Sequence, residues 1–235
     1  GRSPLLRVLC VQLSQTKHVI LLVLHHMVGD AWSLRILLRE LFALLKQRAI
    51  SDRFPFDNLT LQYSDYAEAE LHRENQLSRE YWRKQLADAP SRIDLPIDYA
   101  VREDPSHAAG EVRFELDEQL NSSLKQISHR HKATLYMTLL AAFKVLLARF
   151  SNSENIVVGS PVGHRPDVKF ENVVGLFVNT LAFRTKINRL KDFGSVLNEV
   201  RQTVLDGLDH QDAPLDQVIN DLGTDRNWNH SPVFQ

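Results

Sequence analysis

Residues 5–13 are rich in Leu and Val, residues 14–17 (Ser-Gln-Thr-Lys) are polar, and residues 19–24 form a second apolar run. Two such runs about a short polar stretch predict an antiparallel hairpin, with 19–24 as a buried strand. Leu34, Leu37, Leu38, Leu41 and Leu45 then recur at helical spacing, with Arg35, Arg39 and Lys46 on the opposite face. Residues 51–58, with Pro55, predict a loop, and 63–86 a helix strongly charged on one face.

Residues 89–109 contain Pro90, Pro96 and Pro105 with few periodic apolar positions, which predicts a linker. Beyond it, 111–116 alternate as a strand and 120–131 predict a helix. Thr134 is placed to cap a further helix whose apolar face is Leu135, Leu139, Phe143, Leu146 and Phe150. A short strand over 156–159, a polar loop over 161–171 carrying Arg165, and a strand over 177–183 follow. Asp192 then caps a helix with Phe193, Val196, Leu197, Val200, Val204 and Leu208 on one side. Strands and helices in mixed order argue for α/β or α+β layers, and each apolar stripe is core by default.

Composition narrows the class without naming an activity. The chain has 235 residues, 43% hydrophobic and 24% charged, with a formal net charge of −1. That is ordinary for a globular protein and supplies no global field for nucleic acid or anionic membrane. No apolar run is long enough to span a bilayer, and no signal peptide is evident. Cys10 is the single cysteine, which excludes an internal disulfide, suits a reducing cytoplasm and reads as a small buried hydrophobe. The opening at Gly1 and the close at Phe234-Gln235 read as an internal fragment of a longer polypeptide.

The chemistry-bearing stretch is His25-His26-Met27-Val28-Gly29-Asp30, between the second strand and the first helix. Imidazole titrates nearest neutrality, so a histidine held at such a junction is a general-base candidate. A metal site is disfavoured, because neighbours on a strand point to opposite faces and no other cluster has ligand spacing.

The segment from Leu24 to Ser33 resembles the His-His-x-x-x-Asp-Gly signature of nonribosomal peptide synthetase condensation domains. Four more elements of that family are matched in order. Tyr63-Ser64-Asp65-Tyr66-Ala67 is similar to Tyr-x-Asp-Phe-Ala. Val174-Gly175-Leu176-Phe177-Val178-Asn179-Thr180 is similar to Val-Gly-x-Phe-Val-Asn-Thr. His210-Gln211-Asp212-Ala213-Pro214 is similar to His-Gln-Asp-x-Pro, and Arg226 to Val233 matches the last element loosely. The resemblance implies two chloramphenicol-acetyltransferase-like lobes in a V, each partly present, divided into 1–98 and 99–235. It also implies amide formation between an acyl or peptidyl thioester and an aminoacyl thioester.

Further expectations come with that resemblance. His26 and Asp30 are the candidate catalytic residues, with Asp30 preferred as a pin salt-bridged to Arg165. His25, Gly29, Ala31 and Arg165 support the loop, while Trp32, Ser33, Gly175, Asn179 and Thr180 line the substrate tunnel. No cofactor is bound intrinsically; phosphopantetheine arrives on upstream donor and downstream acceptor carrier-protein domains, with an adenylation domain as neighbour. Ala31 stands where the family has glycine, Ala69 where it has Trp, and Leu215 and Asp216 where it has Phe and Glu. The rivals are an epimerization-type relative, a cyclization domain (disfavoured because both histidines are intact), a stand-alone acyltransferase using a coenzyme A thioester, and an inactive carrier-binding module kept open by Ala31.

Overall fold

The computed structural model describes residues 4–48, 56, 59–90, 92–98, 110–223 and 233–234. The chain divides by packing into two compact units: 1–74 with 162–179, and 75–161 with 180–235. The lobe boundary at 98/99 rests on the family resemblance alone.

In the first unit, β1 (Leu6–Gln12) and β2 (His18–Leu24) pair antiparallel in the register Leu6↔Leu24 to Gln12↔His18. The Ser14 hydroxyl ties the turn by accepting from the Thr16 and Lys17 N–H groups at 3.3 and 3.1 Å. The expected burial of this hairpin does not occur: β1 is exposed along its length and β2 nearly so, and Cys10 is exposed with them. Among the described residues the hairpin is a two-stranded sheet, too small for its apolar side chains to cover one another. Helix α1 (Ala31–Arg48) follows, and α2 (Tyr63–Leu71) starts where the Gln62 N–H donates to Asp65 Oδ2 at 2.6 Å.

The single helix expected over 63–86 is broken. The chain leaves α2 at His72 and begins α3 (Gln76–Gln85) after Asn75. The polar run 72–75 has no apolar position to bury. Asn75 Nδ2 bonds to Gln217 Oε1 at 2.9 Å, within the second unit. The expected strand over 111–116 is also absent, because its alternating Val112 and Phe114 are exposed and no described strand pairs with them.

The second unit is built on α4 (Glu118–Arg130), α5 (Leu135–Ser151), α6 (Phe193–Asp209) and α7 (Leu215–Asp221). Asp117, Thr134 and Asp192 cap α4, α5 and α6, accepting from the N–H groups of Leu120, Met137 and Ser195. Strands β3 (Asn155–Gly163) and β4 (Val178–Lys186) form a second sheet. The bonds His164 N–H to Phe177 O and Ile187 N–H to Glu154 O, 2.7 Å each, bracket the pair and set it antiparallel. Strand β3 thus runs further than sequence suggests.

The face assigned to the core on α5 is reversed. Met137, Ala141, Lys144 and Ala148 are buried, whereas Leu139, Phe143, Leu146 and Phe150 are exposed. Alanines allow close approach to α4 and α6, the helices α5 packs against. For α6 the expected face is buried at Val196, Leu197, Val200 and Val204 and half-buried at Leu208, while Phe193 at its start is exposed. Helix α7 was not anticipated; Arg79 of α3 pairs with its Asp221. The loop read over 51–58 lies outside the described residues apart from Phe56, as do residues 91 and 99–109 of the linker and residues 226–232 of the last motif. Among the described residues no single helix is long and apolar enough to cross a membrane.

Candidate functional site

The histidine pair lies just past the end of β2. His25 N–H still bonds to Leu5 O at 2.8 Å, but the chain then turns into a short 3-10 helix, His26–Val28. Strand alternation therefore does not govern these two side chains. His25 Nδ1 accepts from the Met27 N–H at 3.2 Å, making it the cap of that turn. The His26 main chain is held by Gly29 N–H at 3.4 Å and its side chain is exposed. Gly29 is extended and buried, and a Cβ there would lie 2.5 Å from Leu24 Cδ2 and 3.2 Å from Ser33 Cβ, so a side chain at this position would require Leu24 to shift.

Asp30 closes the loop from beneath, and all its partners lie in the first unit. Its Oδ1 accepts from the Ser33 N–H at 2.7 Å and its Oδ2 from the Phe177 N–H at 3.1 Å. Arg165 Nη2 reaches Oδ1 at 3.3 Å, with the two side chains 10% and 6% exposed. Burial by itself would push the Asp30 carboxyl up. The hydrogen bonds of Ser33 and Phe177, with the Arg165 charge, outweigh that and hold it below the ordinary carboxylate range. Burial pushes the Arg165 guanidinium down, opposed by Asp30, and it remains a cation.

Arg165 is fixed by more than its carboxylate. Its Nη1 donates to Phe170 O at 2.7 Å and Val173 O at 2.8 Å, and the guanidinium lies 3.9 Å from the Phe177 ring centroid. Phe170, Val173 and Phe177 form a buried cluster with Leu61, Tyr63 and Tyr66 against it. The Tyr63 hydroxyl donates to Leu176 O at 3.0 Å, and its ring meets Phe177 edge-on at 5.3 Å. Burial, then nearby acids, push both tyrosines above the ordinary phenol range.

Ser33, expected in the tunnel lining, is fully buried; its hydroxyl donates to Gly175 O at 2.7 Å and accepts from Gly175 N–H at 3.0 Å. A Cβ on Gly175 would stand 2.1 Å from Tyr63 Cδ2, so the second and third sequence motifs meet here. Trp32 is exposed at the start of α1, with Nε1–H bonded to Glu171 O at 2.8 Å. Asn179 and Thr180 are half-buried at the start of β4, where Asn179 belongs to the first unit and Thr180 to the second.

Ala31 is the first residue of α1. Among the described residues other than glycine, positive φ occurs only at Asp88, Lys132 and Asn152, so this loop does not use the freedom a glycine would supply. Sequence reasoning missed the roles of Tyr63, Tyr66 and Phe170; the Tyr-x-Asp motif was the available signal. His210 ends α6, with its ring stacked on Tyr81 at 4.0 Å and its carbonyl accepting from Trp82 Nε1–H at 2.8 Å. Burial, then Asp206 and Asp209, push the Tyr81 phenol up to about 12.

Known proteins share both the sequence pattern and the fold. A family model described as Condensation domain matches residues 1–235. Tyrocidine synthase 2 of Brevibacillus parabrevis is 35% identical over 235 residues, covering 98% of this chain and 6% of that protein. The X-domain from teicoplanin biosynthesis superposes with a TM-score of 0.88 at 25% identity, covering 100% of this chain and 54% of that one. A four-domain nonribosomal peptide synthetase bound to AMP and glycine gives a TM-score of 0.86 at 27% identity, covering 99% of this chain and 18% of that one. The chain thus spans about half of the X-domain chain and a small part of each synthetase.

Proposed function

The chain belongs to the condensation-domain family, and we propose that it forms an amide bond between an acyl or peptidyl thioester and the amine of an aminoacyl thioester. Both substrates would be carried on phosphopantetheine arms of partner carrier-protein domains. The observation that carries this reading is the loop itself. Asp30, Ser33, Gly175, Phe177 and Arg165 lock its base, while the His26 side chain stays exposed.

In the reaction the amine nitrogen attacks the thioester carbonyl; the C–N bond forms, the C–S bond breaks, and the proton lost by nitrogen ends on the departing thiol. The exposed imidazole of His26 is the group of the loop placed to accept that proton. A positioned base contributes roughly 10²–10⁴-fold, and holding two reactants in line contributes effective molarities of up to about 10⁵–10⁸ M. Alignment is therefore the larger effect, with His26 orienting the amine and carrying its proton. The thioester is already activated, so the step needs no nucleophile from the protein. Asp30 acts through the loop as a pin, not on the substrate. His25, Gly29 and Ala31 shape the loop, and Trp32, Ser33, Gly175, Asn179 and Thr180 belong to the walls and supports of the substrate path.

The proposal also carries the two-lobe division at residues 98/99, a neighbouring adenylation domain and a cytoplasmic setting. Its test is single-turnover condensation by the full-length polypeptide with loaded donor and acceptor carriers, read by mass of the carrier-bound product, beside His26→Ala. Amide that collapses in a folded variant supports the reading. No amide from the wild type, with both carriers verified as loaded, rejects it in favour of a carrier-binding module.

A further inference from the structure

The chain has two methionines, and the fold places them in opposite surroundings. Met137, in the first turn of α5, is 5% exposed, and its sulfur accepts from the Thr134 N–H at 3.5 Å. Met27 is 68% exposed. It is the middle residue of the short 3-10 helix His26–Val28, next in sequence to His26. Its N–H is held by His25 Nδ1 at 3.2 Å and the Val28 N–H by His25 O at 3.0 Å. The main chain of the turn is therefore fixed while the thioether stands open to solvent.

Exposure decides which sulfur an oxidant reaches. With hydrogen peroxide, a sulfur lone pair attacks one peroxide oxygen; the S–O bond forms and the O–O bond breaks. The other oxygen leaves as water with both hydrogens, so sulfur is oxidised and the peroxide is reduced. The product sulfoxide is polar and chiral where the thioether was apolar, and methionine sulfoxide reductases reverse it. One residue from His26, the new oxygen is a strong acceptor that competes for the N–H groups of the imidazole and of an incoming amine. We propose that Met27 is a reversible peroxide-oxidation site and that its sulfoxide slows the step His26 serves. The slowed step rests on the condensation reading; the oxidation site does not.

The test treats the full-length polypeptide with hydrogen peroxide before phosphopantetheine is attached to its carriers. Dithiothreitol then reverses disulfides and sulfenic acids and leaves sulfoxides in place. Peptide mass spectrometry reads the oxygen gained at Met27 and at Met137. Once the carriers are armed and loaded, single-turnover condensation is compared with that of the same protein untreated. Wild type, Met27→Leu and Cys10→Ser are run together, because Cys10 is the other exposed sulfur. Met27 is expected to oxidise roughly tenfold faster than Met137, following their exposures of 68% and 5%. Condensation should slow severalfold in step with Met27 oxidation in wild type and Cys10→Ser, be spared in Met27→Leu, and return after treatment with the reductases.

Oxidation of Met27 no faster than that of Met137 overturns the inference, since another part of the polypeptide then covers the thioether. Fully oxidised Met27 with unchanged condensation overturns it too, as does an equal loss of rate in Met27→Leu. An untreated wild type that forms no amide rejects the condensation reading and the slowed step with it, while the mass comparison still decides the oxidation site.

Discussion

Ser33 and Gly175, 142 residues apart, are joined by two hydrogen bonds through one hydroxyl, which donates to the Gly175 carbonyl at 2.7 Å and accepts from its N–H at 3.0 Å. This contact fastens the first turn of α1 to the Val-Gly-x-Phe-Val-Asn-Thr element. Ser33 is bonded to Asp30 as well, its N–H donating to the carboxylate at 2.7 Å. Ser33→Ala leaves a buried N–H and C=O without these bonds, at a cost of about 1–3 kcal/mol. Chemical denaturation checks it, and an unchanged midpoint would mean that water replaces the hydroxyl.

Asp30 separates a pin from a catalyst. Asp30→Ala strands the buried Arg165 charge, and breaking a buried pair in this way costs about 3–5 kcal/mol. Stability and turnover are therefore expected to fall together, with Asp30→Asn intermediate in both. A variant that keeps its thermal midpoint and loses all turnover would make Asp30 catalytic.

The same carboxylate fixes a pH dependence. Its folded pKa lies below the ordinary value of about 3.9, so the unfolded chain binds the proton more tightly. The contribution of Asp30 is fully present above that ordinary value and is lost as pH falls through the folded pKa. The pH slopes of stability of wild type and Asp30→Asn should differ only below about pH 4, where the wild type loses its advantage over the variant. A difference in pH slope near neutrality would contradict the assignment.

Lys144 has the opposite sign. It is fully buried, and its Nζ donates to Phe183 O at 2.8 Å and Thr185 Oγ1 at 2.7 Å. Burial lowers its pKa from 10.5 to about 7. Between those values the unfolded chain holds a proton that the folded chain lacks, so stability rises with pH, by at most about 1.4 kcal/mol per unit. The cost of the buried charge is fully present below the folded value. Lys144→Met should flatten the rise between pH 7 and 9; a slope equal to wild type would show that the amine stays protonated in the fold.

Ala31 opens α1 without needing a positive φ. Ala31→Gly is expected to leave the condensation rate unchanged or raise it, and to lower stability by no more than about 1 kcal/mol through helix propensity. Rate and denaturation midpoint together check this. A sharp loss of rate would show a loop built around the alanine methyl.

Sequence located the loop because its determinants are local. An apolar strand, a tight polar break and leucines at helical spacing place His26 at a strand-to-helix junction, and Thr134 and Asp192 announce their helices through caps that act within three residues. The break at 72–75 was illegible because helical periodicity resumes on its far side. The failed strand at 111–116 had the right alternation, but alternation specifies a face and not a partner.

The chain by itself therefore determined the first hairpin, the helices α1, α5 and α6, the caps Thr134 and Asp192 and the motif that names the family, all of which depend on residues a turn or two apart. Tertiary structure alone decided which side of α5 is core. That helix is apolar on more than one side, and the choice of Ala141, Lys144 and Ala148 over Phe143 and Leu146 depends on how closely α4 and α6 approach. It likewise seated Asp30 against Arg165 and Phe177, and Ser33 against Gly175. These pairs are separated by 135 to 147 residues, and a buried polar atom finds its partner only when packing has excluded water from both.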